Sequence, residues 1–103
     1  MQIEILYFDG CPNHLPTVTR VQHVLTDLGM QVEVQQIRVT SVEDAVQRRF
    51  LGSPTVRVNG VDIDPSVRGR TEYGLSCRVY QNMDGVPPES LLRAVFEAAP
   101  QTP

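Results

Sequence analysis

The sequence predicts an α/β domain in the order β-α-β-α-β-β-α, a four-stranded mixed sheet with helices on both faces. Three observations carry this. The run Ile3 to Phe8 becomes apolar on both faces in its second half, as a central, doubly covered strand requires. Apolar residues then recur at helical spacing ahead of a second, β-branched stretch, so the first three elements form a βαβ unit with a parallel, right-handed strand pair. Later, Asn59-Gly60 separates two short apolar runs, the strongest two-residue signal for a hairpin.

Taken in order, the first strand covers Gln2 to Phe8. Leu15, Val18, Val21, Leu25 and Leu28 then mark one face of a helix that Gly29 ends. Pro16 is tolerable only in the first turn, so this helix begins near Asn13 to Leu15 or slightly earlier. Gln31 to Val39 reads as the second strand, with a bulge or register change expected where the alternation slips at Gln35-Gln36. Ser41-Val42-Glu43-Asp44 resembles a capping box, and a short helix should run to about Leu51 and end at Gly52. Thr55 to Val58 and Val61 to Ile63 form the hairpin. The last helix begins at Pro87-Pro88-Glu89 and carries Leu91, Leu92, Val95, Phe96 and Ala99 until Pro100. The whole chain, 1–103, reads as one domain with an irregular insertion at about 64–86, holding a short extended segment near Leu75 to Tyr80. A loop of that length in so small a domain points to function or to an unrecognised element.

Composition narrows the function classes. The 103 residues are 41% hydrophobic and 20% charged, an ordinary globular balance long enough to bury one core. No apolar run approaches the roughly 20 residues of a membrane helix, and no basic-then-apolar leader precedes the first strand, so a cytoplasmic protein is expected. The net charge of −3 and the scattered cations argue against nucleic acid. Every cation is Arg, which excludes lysine Schiff-base chemistry. Two cysteines in such a chain lean towards catalysis or metal binding rather than a structural staple.

Two local motifs sharpen the picture. "GCPNH", Gly10 to His14, sits at the first strand–helix junction. "GSPTVRVNG", Gly52 to Gly60, sits before the hairpin. Together they resemble the thioredoxin-like superfamily. The first resembles the active-site motif of glutaredoxins and thioredoxins, with Cys11 in the nucleophile's place and Pro12 beside it. The second resembles the stretch where that superfamily carries a cis-proline, with Ser53, Pro54 and Thr55 at the matching positions. The resemblance covers residues 2–63 and the final helix. It departs in two respects: His14 replaces the resolving cysteine of the dithiol motif, and Asp62-Ile63-Asp64-Pro65 stands where glutaredoxins carry a Gly-Gly-Asp signature for glutathione. The chain also resembles, more faintly, small bacterial thioredoxin-like proteins loosely linked to organomercurial lyases.

The resemblance implies a thiol–disulfide oxidoreductase. A thiolate is the attacking species, and unpaired backbone N–H groups and the helix dipole at a helix N-terminus favour it at Cys11. His14 would reach the sulfur if the helix already included Cys11; otherwise it is an exposed first-turn histidine. Pro54 would be cis, leaving the Ser53 backbone to hold an extended thiol substrate. Asp9 is either a proton relay or a strand-end turn residue. Cys77 is either the missing resolving thiol or a packed side chain. Arg68, Arg70 and Arg78 either bind a carboxylate or remain solvated, and His23 reads as surface. No cofactor or resident metal is expected. The partners would be protein or small-molecule thiols and disulfides, with no membrane and an undefined oligomeric state.

Two other readings compete. One is a soft-metal or organomercurial-handling thiol protein using Cys11, Cys77 and His14 or Asp9. The other is a non-catalytic binding module that keeps the fold without turnover.

Overall fold

The structure of the chain is a computed structural model that describes residues 1–80 and 84–99. Pro100, expected to end the last helix, and positions 81–83 of the irregular segment lie outside the described residues. Strand β1, Ile3–Tyr7, leads to helix α1, His14–Asp27, strand β2, Val34–Arg38, and helix α2, Val42–Arg48. The hairpin strands β3, Thr55–Val58, and β4, Val61–Asp62, follow, then a 3-10 turn at Pro65–Val67 and helix α3, Glu89–Ala98. The sheet order is β2-β1-β3-β4, with β1 and β2 parallel and the remaining pairs antiparallel. This mixed α/β arrangement of four strands and three helices is compatible with a thioredoxin-like fold.

Strand periodicity splits β1 between two cores. Ile3 and Ile5 join Val21, Val24 and Leu25 of α1 and Leu92 and Phe96 of α3 in the larger cluster. Leu6 turns the other way and packs with Ala45 and Phe50 at α2. Helices thus cover both faces, and β1 is central because both of its neighbours pair with it.

Strand β2 departs from expectation. Its parallel register runs unbroken through Glu4↔Gln35 and Ile5↔Gln36, with no bulge. As an edge strand it leaves both glutamines exposed, so the loss of alternation reflects hydration rather than a register change. Helix α2 also ends earlier than Gly52. The Ser41 side chain accepts from the Asp44 N–H at 3.0 Å, as a cap should. At the other end Arg49 adopts φ 54°, and the Phe50 N–H donates back to the Ala45 carbonyl at 2.8 Å, a Schellman-type stop that buries Phe50. The hairpin turn follows its sequence: Asn59 and Gly60 both have positive φ, 52° and 82°, as a type I′ turn demands.

Candidate functional site

Cys11 lies on the turn between β1 and α1. Gly10, at φ 85°, turns the chain, and the Cys11 N–H donates to the Phe8 carbonyl at 3.3 Å. The first helical residue is His14, so the half-buried Cys11 precedes the helix instead of belonging to its first turn. That changes the role of the imidazole. The His14 ring stacks on Tyr7, with centroids 3.6 Å apart and planes within 5°, and its Nε2 hydrogen-bonds Gln36 Oε1 at 2.7 Å. The ring is engaged with β1 and β2, and its hydrogen bond goes to Gln36. Asp9, the other candidate helper, forms an exposed ion pair with Arg38 at 3.4 Å. Pro12 is exposed.

The second motif meets this turn through the sheet. Thr55 pairs with Leu6 in the antiparallel register, so Ser53-Pro54 and the turn after β1 lie at the same end of β1. The Ser53–Pro54 bond is cis. Ser53 was expected to leave its backbone open to a substrate strand, and here the structure differs. The Ser53 N–H donates to the Ser76 carbonyl at 2.8 Å, and the Arg78 N–H donates to the Ser53 carbonyl at 3.0 Å. These two bonds make a parallel bridge between Ser53 and Cys77. The chain's own segment therefore occupies the place where a substrate strand was expected. Cys77 is exposed, both thiols are free, and the extended stretch expected at 75–80 is reduced to this single bridge.

Further contacts hold the segment there. Gly52, at φ 133°, lets it approach: a Cβ on Gly52 would lie 3.0 Å from the Ser76 carbonyl oxygen and 3.2 Å from the Arg78 Cβ. The Tyr80 hydroxyl donates to the Pro54 carbonyl at 2.6 Å. Arg78, nearly buried, donates to both carboxylate oxygens of Asp62, to Thr55 Oγ1 at 3.2 Å, and stacks over the Tyr80 ring at 4.5 Å. Thr55 in turn donates to the Gly52 carbonyl at 2.6 Å. Burial is the largest influence on Arg78 and opposes its charge, but its hydrogen bonds to Asp62, together with the negative potential of Tyr80, Asp62 and Asp64, outweigh it and hold the guanidinium above its ordinary value. Burial likewise pushes the Tyr80 phenol up, against the opposing pull of Arg78. The Ser53 hydroxyl is buried without a hydrogen-bond partner among the described residues.

The structure thus gathers Ser53, Pro54, Thr55 and Cys77 into one cluster and sets Cys11 at the same end of the sheet, with His14 turned to β2. Arg78 was expected to bind a carboxylate-bearing ligand or stay solvated; instead it is buried on Asp62. Its partner was legible only in part, because the alternation of the hairpin places Asp62 opposite Arg57, on the same sheet face as Thr55, without naming a cation for it. Among the described residues, the cluster of potential metal ligands is His23, Asp27 and Glu89, not the cysteines. Arg93 already binds both of those carboxylates.

A family model described as a domain of unknown function, DUF2703, matches residues 13–94. The chain belongs to this family. A search of curated proteins and a search of solved structures each returned no match. The matched span takes in α1, the cis-proline loop, the bridged segment and most of α3.

Proposed function

We propose that this chain is a thioredoxin-like thiol–disulfide oxidoreductase with Cys11 as nucleophile and Cys77 as the resolving thiol. The observation that carries the reading is the Ser53–Cys77 bridge, which fastens the second cysteine beside the cis-proline at the sheet end that also carries Cys11. In the forward direction the Cys11 thiolate attacks a substrate disulfide and releases one substrate thiolate, leaving a mixed disulfide on Cys11. The Cys77 thiolate then attacks the Cys11 sulfur and expels the second substrate thiolate. The substrate is reduced by two electrons, and the protein is oxidised to a Cys11–Cys77 disulfide. A thiol reductant of the glutathione or dithiol class returns both cysteines to thiols. Protein or small-molecule disulfides are the partners, and a reducing compartment such as the cytoplasm suits the cycle.

The test is a glutathione redox series on the purified protein, followed by non-reducing peptide mass spectrometry of wild type, Cys11→Ser and Cys77→Ser. A reversible Cys11–Cys77 disulfide, with a midpoint at about −200 to −300 mV, supports the reading. Glutathione adducts on Cys11 alone would replace it with a monothiol mechanism. Two inert thiols would leave a non-catalytic binding module as the better account.

A further inference from the structure

Five of the nine cations, Arg48, Arg49, Arg57, Arg68 and Arg70, line one cavity of about 310 Å³, together with Asp62 and Tyr73. The concentration is unexpected in a chain of net charge −3. The lining reaches Gly60 and Val61 at the hairpin turn, the opposite end of β3 from Pro54.

Two of the five are held by neutral acceptors. Arg57 Nη2 donates to the carbonyls of Arg48 and Arg49, at 2.6 and 2.9 Å, where α2 ends. Arg68 Nε and Nη2 both donate to the Asp62 carbonyl, at 3.0 and 2.8 Å. Main-chain carbonyls orient these guanidinium groups without cancelling their charge. The Asp62 carboxylate is shared with Arg78, which holds both of its oxygens. Arg48 and Arg70 lean on Asp44 and Glu72 in surface ion pairs, which are weak and exchange readily. Glu4 stands opposite Arg57 in the β1–β3 register. Even with these acids counted, cations remain in excess. Burial presses the half-buried Arg57 below its ordinary value, partly offset by Asp62 and Glu4, so an anion in the cavity would relieve it.

We propose that this cavity binds a small, multiply charged oxyanion. Arginine's planar fork matches phosphate and carboxylate oxygens two at a time, and the volume is at the small end of ligand pockets, about 300–1,000 Å³. Phosphate esters and polycarboxylates share this chemistry, and two probes separate them.

The experiment is a calorimetric titration of the full chain with pyrophosphate and, separately, with citrate, at low and physiological salt. Binding of either probe that weakens with salt is expected, and the tighter probe identifies the natural group. The double variant Arg49→Asn/Arg70→Gln should weaken binding by roughly tenfold or more. Asn suits the left-handed backbone at position 49, and both side chains are exposed, so circular dichroism should remain that of the wild type. Arg38→Gln, outside the cavity, should bind as wild type does. The proposal is overturned if neither probe binds, or if the double variant and Arg38→Gln bind equally well.

Discussion

The Arg78 guanidinium meets the Asp62 carboxylate through two hydrogen bonds, 2.6 and 2.8 Å long, with the side chains only 5% and 9% exposed. Water reaches neither group well, so removing one partner leaves a stranded charge. Arg78→Met should therefore cost about 3–5 kcal/mol, read by urea unfolding. Arg78→Met combined with Asp62→Leu should recover much of that loss, because no charge is then buried alone. A double variant no better than the single one would show that the pair acts through geometry rather than charge.

The Ser53–Cys77 bridge makes a local prediction for amide exchange. The N–H groups of Ser53 and Arg78 should both exchange slowly in the native state, since each donates across the bridge. In Arg78→Met, which releases the segment from Asp62, the two should lose protection together. Independent loss would mean that the segment is held elsewhere.

Gly52 permits the close approach, and its substitution tests it. Gly52→Ala puts a methyl group 3.0 Å from the Ser76 carbonyl oxygen on a backbone at φ 133°. The expected cost is about 1–3 kcal/mol, visible as a lower urea midpoint. Under the proposed mechanism, formation of a Cys11–Cys77 disulfide should also weaken in this variant.

For His14, two contacts set the expectation. His14→Phe keeps an aromatic face for Tyr7 and loses the bond to Gln36, whereas His14→Ala loses both. The alanine variant should cost about 0.5–1.5 kcal/mol and the phenylalanine variant less. Alkylation of Cys11 should stay within about twofold of wild type in both, since an imidazole bound to β2 does not serve the sulfur. A rate change of tenfold would contradict this placement.

Tyr80 ties stability to alkaline pH. Its phenol is raised in the folded protein, chiefly by burial, above an unfolded value near 10. The folded state thus keeps a proton that the unfolded state releases, so this contribution is full below about pH 10 and is lost as pH rises further. A difference titration of wild type against Tyr80→Phe at 295 nm should show no phenolate from Tyr80 until unfolding begins. A normal phenolate step near pH 10 with the fold intact would refute it.

Much of the architecture is written in short-range pattern. The apolar period of α1, whose Val21 and Leu25 are buried although Leu15 at its start is exposed, and the signals at Ser41, Asn59-Gly60 and Pro88-Glu89 act over a few residues, so they place the helices and hairpin from sequence alone. The two motifs at Cys11 and Ser53-Pro54 were legible through their resemblance to a known superfamily. Tertiary structure decided which partners these residues meet. Edge exposure, and not a bulge, accounts for Gln35-Gln36; the imidazole of His14 goes to Tyr7 and Gln36; the backbone of Ser53 is taken by the 76–78 segment. Arg78 in sequence is one arginine among nine, and only the fold of residues 64–80 buries it on Asp62. Pairings across long separations depend on loop path and burial, which no local period encodes.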